Sequence, residues 1–301
     1  MSPRWLRLGL ALTMVVSGGC INKIAVNSVA NMLSGDGAGA FSRDNDIEFV
    51  GDSIPFAIKM MESVRDAAPK HAGIREAVCS STTQYAMVYV AWPAEVIKFD
   101  DYDGYESGQA RTKKFLDRSL DNCRQALEIS YPGLTTEMYS DPEAALSQVT
   151  EEDVSLLYWM GATWLARISK SKEEMDAIGA LPIAAAFIKR GLELDEDWSK
   201  GALHDLAILL EPSLPMPGGN DRAREHYARA VELAGGTLAS PHVSLATSVS
   251  VVEQKKEEFV ELMEKALAVD ITVSPDDQLA NMYAQEQARY YLNHLDDFFV
   301  E

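Results

Sequence analysis

Five histidines, three acidic clusters and two internal cysteines are the places where chemistry could start in this chain. His71, His204, His226, His242 and His294 are dispersed, and none has a second histidine within a helical turn. His204 precedes Asp205, a pairing that invites proton transfer. Neighbours on a helix point apart, however, so the two cannot share a proton without partners from elsewhere. Asp44-Asn45-Asp46, Asp100-Asp101-Tyr102-Asp103 and Asp195-Glu196-Asp197 lack the glycine and distal glutamate of a helix–loop–helix calcium loop, and fit helix capping or solvation better. Cys79 and Cys123 come without the Cys–His spacing of a metal site and read as small buried residues or as one disulfide. A glycine-rich phosphate loop, a zinc-protease helix motif and a serine elbow are all missing from the sequence. No catalytic residue, metal or cofactor is expected, and an enzyme is not the reading.

A third cysteine has a context of its own. Arg4 and Arg7 give a positive start, and residues 8–16 form an apolar run too short to span a bilayer. Ser17-Gly18-Gly19 then place small residues directly before Cys20, as in a bacterial lipobox, where the thiol is diacylglyceryl-modified and the cut falls before it. Ser17 stands where Leu or Val is usual. Two or three acyl chains on Cys20 would anchor the protein stably to a membrane. Ile21 in place of Asp after the cysteine favours the outer membrane over the inner one. No later stretch is long and apolar enough to span. The expected layout is a leader at 1–19, a lipid-anchored tether at 20–45, and a helical domain at 46–301 facing the periplasm.

The remaining signal is aromatic. Tyr85, Tyr89, Trp92, Trp159, Trp164 and Trp198 form a candidate lining for a groove or pore, although aromatic residues at helical spacing more often belong to a core. The elements that must carry them are helices. Ile74, Ala77, Val78, Tyr85, Val88, Tyr89 and Trp92 recur at three- and four-residue steps, and Pro93 is expected to end that helix. Residues 85–90 alone could be a strand, but nothing before them breaks the helix. No set of alternating runs with hairpin turns supports a sheet.

Repetition sharpens the fold. Ala223, Tyr227 and Ala230 follow a small–large–small pattern at steps of four and three, which lets neighbouring helices approach closely. Ser119, Cys123, Ala126 and Ala184, Ile188, Gly191 repeat it. Phe259, Met263, Ala266 and Ala57, Met61, Val64 are diverged copies. Ala184, Ala223 and Phe259 are 39 and 36 positions apart, against about 34 for a tetratricopeptide repeat. The longer steps before them require insertions, placed near 100–105 and 131–150. Ser274-Pro275-Asp276-Asp277 opens a last helix with a cap, a first-turn proline and acids favoured by the helix dipole. The fold class is therefore all-α: a solenoid of tetratricopeptide-like helix pairs with long insertions and a C-terminal capping helix. In such a superhelix the aromatic residues would lie on the concave side. The formal charge of -19 argues against nucleic acid, whose phosphates call for clustered Lys and Arg.

Several strings, in order, resemble the T-component (TatT) family associated with TRAP transporters. They are Phe41-Ser42-Arg43-Asp44-Asn45-Asp46, Ile54-Pro55-Phe56-Ala57-Ile58-Lys59, Tyr158-Trp159, Asp197-Trp198 with Gly201-Ala202-Leu203-His204, Ala239-Ser240-Pro241, and Asn293-His294-Leu295-Asp296-Asp297-Phe298. The resemblance implies a periplasmic lipoprotein with helix pairs and a hydrophobic channel or pore. Its implied partner is the solute-binding protein of a TRAP transporter, which carries organic anions, and it leaves room for a homo-oligomer. The alternative from another class is a scaffold for an envelope complex that transfers no ligand.

Overall fold

The structure, a computed structural model, describes residues 27–33, 39–171, 173–215 and 217–300. The expected leader and Cys20 lie outside them. The architecture is all-helical, with no strand among the described residues. Ten principal helices carry the fold: α1 Ile47–Ala67, α2 Ala72–Tyr85 with its continuation to Val96, α3 Tyr102–Ser130, α4 Val154–Ser169, α5 Leu181–Leu194, α6 Trp198–Leu210, α7 Gly219–Ala234, α8 Ser240–Leu245 with its continuation to Ser250, α9 Lys256–Ala268 and α10 Gln278–Asn293.

Two acidic clusters start helices. Asp46 accepts the Phe49 N–H at 2.9 Å to cap α1, and Asp101 accepts the Gly104 N–H at 2.9 Å to cap α3, each satisfying a donor the helix cannot. The strand-like run after Tyr85 is helical but not α: Ala86–Ala91 is a π turn, and the Trp92 N–H bonds the Met87 carbonyl five residues back. Pro93 does not end the helix as expected. It sits in the first turn of the α segment Trp92–Val96 that follows, where a missing N–H costs least. A second π turn, Ala246–Ser250, continues α8.

Each helix packs on the next in sequence, and α2, α4, α6, α8 also touch in that order, the row ending on α10. The odd-numbered helices α3, α5, α7 and α9 carry the small–large–small triplets, and Ser119, Cys123, Ala126, Ala184, Ile188, Phe259, Met263 and Ala266 are all buried. Close approach is visible at Gly161 and Gly191. A Cβ on Gly161 would lie 2.7 Å from Ile188, and one on Gly191 2.8 Å from Leu203. The 131–150 insertion folds into two short helices, Leu134–Glu137 and Pro142–Leu146, and Leu134, Met138 and Leu146 fill the core between α3 and α5. Cys79 and Cys123 form a disulfide joining α2 to α3, with Cα atoms 5.4 Å apart. Residues 27–33 are helical and lie on the body: Ala30 is buried beside Ile58 and Ile74, and Asn31 bonds His71.

The last helix does more than cover α9. Ala284 and Ala288 are buried on that side with Phe299 beyond them, while the opposite face of α10 meets the end of α2. Trp92 Nε1–H donates to Glu286 at 3.0 Å, and the Trp92 ring packs at 5.3–6.2 Å against Tyr283, Tyr290 and Tyr291. The Tyr290 hydroxyl reaches the Val96 carbonyl at 3.4 Å, and Arg43 pairs with Asp276. The row α2–α4–α6–α8–α10 thus returns to its own beginning.

Candidate functional site

The six aromatic candidates fall on α2, α4 and α6 but not in one place. Tyr85 is buried on α2, stacked on Tyr89 at 5.9 Å and edge-on to Phe115 at 5.2 Å, with Arg111 donating to its hydroxyl. Tyr89 is half-buried against Gly51 of α1, where a Cβ would strike its ring at 2.7 Å. Burial, with Asp44 and Glu286 nearby, pushes its hydroxyl up to about 12. Trp92 is buried in the α2–α10 junction. Trp159 and Trp164 are half-buried against the central core of α4, and the Trp164 Nε1–H has no partner. Trp198 opens α6 and packs on Tyr158 of α4 at 5.0 Å. It is followed by a left-handed stretch, Ser199, Lys200 and Gly201 at φ 48°, 58° and 80°. Two non-glycine residues there carry strain, held by Lys200 bonding Ser274 and Asp277 at the start of α10.

A second set of side chains stands out in the structure. Tyr158 on α4, Asp205 on α6 and Tyr283 on α10 are half-buried. Burial raises the Tyr158 and Tyr283 hydroxyls far above the ordinary tyrosine range. Burial likewise raises the Asp205 carboxyl, against the opposing effect of the Ser244 and Ser240 hydroxyls on α8. Its Oδ1 is buried with no hydrogen-bond partner, a costly state for a carboxylate unless it is protonated or paired. Glu76 on α2 is also raised by burial, opposed by the Ser155 hydroxyl and supported by Asp153. The sequence signal for Asp205 is a lone acid inside the apolar run 202–210.

His204 and Asp205 do point apart. His204 turns to α7, where its Nδ1 meets His226 Nδ1 at 2.8 Å, and its Nε2 meets Glu196 at 3.2 Å. His226 Nε2 stands 4.0 Å from Glu211. Burial lowers both histidines. This tertiary pair of histidines from two helices was invisible to a search within one helical turn. It bridges α6 and α7, and no group of three or more His, Cys, Asp or Glu able to hold a metal occurs among the described residues.

The described residues thus form an all-helical protein in which the row α2–α4–α6–α8–α10 ends against its own beginning. The family model for the TRAP transporter T-component matches residues 43–299, and the chain belongs to that family. The family is one of transporter accessories, not of enzymes, so a role in association with a TRAP transporter system follows. A relative from Treponema pallidum (strain Nichols), named as an uncharacterized protein, is 24% identical over 278 residues, covering 90% of this chain and 86% of its own length. No helix among the described residues is long and apolar enough to cross a membrane.

Proposed function

We propose that the protein is a periplasmic lipoprotein, anchored through Cys20 to the outer membrane, that docks the solute-binding protein of a TRAP transporter and passes it an apolar or organic-acid ligand. The helix pairs form a tetratricopeptide-like solenoid whose ends meet, and the ligand travels in the space that the inner helices enclose. Tyr89, Trp159, Trp164 and Trp198 lie along that route, with Tyr85 and Trp92 packed behind it. The observation that carries the reading is the return of α10 onto Trp92 of α2. The Cys79–Cys123 disulfide supports an oxidising compartment such as the periplasm.

The test is capture from periplasmic extract on the Cys20→Ser protein, followed by mass spectrometry of proteins and extracted small molecules. A TRAP-type solute-binding protein should be retained. Retention of other envelope proteins alone would favour a scaffold without ligand transfer. That second reading draws on one feature, a row of exposed apolar residues at Phe49, Phe56 and Met60 along α1, which suits a partner surface whether or not a ligand moves.

A further inference from the structure

We propose that the outer face of α1 is a membrane-contact surface, which lays Phe49, Phe56 and Met60 into the interface of the bilayer that holds the lipid on Cys20. The contact rests on the reading above that Cys20 is lipidated, and it fixes which side of the molecule meets the membrane.

The face is continuous and uncharged. Phe49, Ser53, Phe56, Met60, Ser63 and Ala67 follow one another at steps of four and three, so they share one side of the helix. Phe49, Phe56 and Met60 are 62%, 71% and 49% exposed. Ile58 and Met61, on the opposite side, are buried with Ile74 and Val78 of α2. The two serine hydroxyls are satisfied within the helix: Ser53 donates to the Phe49 carbonyl and Ser63 to the Lys59 carbonyl, each at 2.9 Å. A stripe whose polar side chains already have partners strands no donor when it leaves water. The charges of α1 do not interrupt it, because Glu48, Asp52, Lys59 and Asp66 all fall to one side of the stripe.

The anchor lies within reach of this face. Residues 27–33 are seated on the body through Ala30, beside Ile58, and through Asn31, which bonds His71. Seven peptide steps join Cys20 to Asn27, a span of at most about 25 Å. A helix is only about 10 Å across, so the lipid is held close enough for the outer side of α1 to meet the same bilayer. Val29 and Met32, between the anchor and α1 in sequence, are exposed apolar residues as well. The size of the stripe also favours a lipid surface. Its three large side chains, half to seven-tenths free, expose on the order of 400 Å², against about 800 Å² per partner in a stable protein interface. A surface already held by acyl chains needs no more than that to be oriented. With 46 acidic against 27 basic residues, the chain gains nothing from anionic headgroups. The contact is apolar, and a zwitterionic bilayer suits it.

Photo-crosslinking from the bilayer maps the contact. The chain from Cys20 onward, which holds every described residue, is coupled at Cys20 to a maleimide phospholipid; Cys79 and Cys123 are joined to each other and do not compete. On phosphatidylcholine vesicles carrying a fraction of diazirine-bearing phosphatidylcholine, lipid adducts should concentrate on the peptides that span 49–60. The triple variant Phe49→Ser/Phe56→Ser/Met60→Ser should lower those adducts at least fivefold while it stays on the vesicles through Cys20, with thermal melting confirming that it is folded. Adducts spread evenly over the body, adducts absent from α1 because a second copy or a protein covers the stripe, or unchanged adducts in the triple variant overturn the proposal. Because the lipid is supplied chemically, these results are independent of the mass of Cys20 in protein isolated from the cell envelope, which tests the lipoprotein reading alone.

Discussion

At the scale of single residues, the buried titratable groups set the protein's response to pH, and they pull in opposite directions. Burial raises Asp205, so the folded state keeps its proton longer than the unfolded chain does. Stability contributed by that proton is present at low pH and is lost as pH rises from the ordinary aspartate range through the raised value. Asp205→Asn should therefore melt at a higher temperature than the parent at neutral pH; a lower melting temperature would contradict the assignment. Burial lowers His204, His226 and His242, the last to about 4. Here the unfolded chain takes up protons first. Stability is full above the ordinary histidine range and falls as pH drops through it towards the lowered values. The His204–His226 contact sharpens the effect, because a second proton places like charges 2.8 Å apart. A melting series from pH 8 to pH 5 should show a steady loss that is smaller in His226→Gln, and an identical slope in that variant would remove the pair from the account. The sequence showed His204 and Asp205 pointing apart, because that follows from helix geometry alone. It could not show His226 beside His204, or the Ser240 and Ser244 hydroxyls beside Asp205, because both depend on how α6 sits against α7 and α8.

At the scale of elements, most of what holds the helices was legible. The triplets from Ser119 to Ala266 fall on α3, α5, α7 and α9 because steps of four and three keep them on one buried face. The capping acids and the buried stripe of α10 follow the same local rules. Two features were not local. Pro93 sits inside a continuous helix because a π turn precedes it, and no periodicity distinguishes a π turn from an α turn over six residues. The disulfide was one of two readings for Cys79 and Cys123, and only the α2–α3 packing brings the sulfurs together. Closing a chain separation of 44 residues is worth about 4 kcal/mol in the chain-entropy account. The double variant Cys79→Ala/Cys123→Ala should therefore lower the unfolding free energy by about 2–4 kcal/mol, measured by denaturant titration. A midpoint unchanged from that of the oxidised parent would mean that the crosslink contributes nothing. Reduction of the parent should reproduce most of the variant's loss.

At the scale of the whole molecule, closure is the feature no linear reading contained. A capping helix was expected to cover α9, and α10 does so, but its second aromatic face seals against Trp92, more than 180 residues earlier in the chain. Trp92→Ala removes a buried aromatic side chain, a loss of about 3–5 kcal/mol where the cavity does not collapse. Amide exchange in that variant should accelerate in both α10 and the end of α2, which are distant in sequence; acceleration in α2 alone would mean that the junction does not couple the two. Membership in the T-component family associates the protein with a TRAP transporter system, and in the function proposed above the closed row of helices serves to hand a ligand on. The most direct test of that claim is native mass spectrometry of the protein isolated from its own cell envelope together with its captured partner. Ligand handling predicts one small molecule of the same mass on both the protein and a TRAP solute-binding protein. A stable protein complex in which neither component carries a small molecule would contradict it and leave a scaffold.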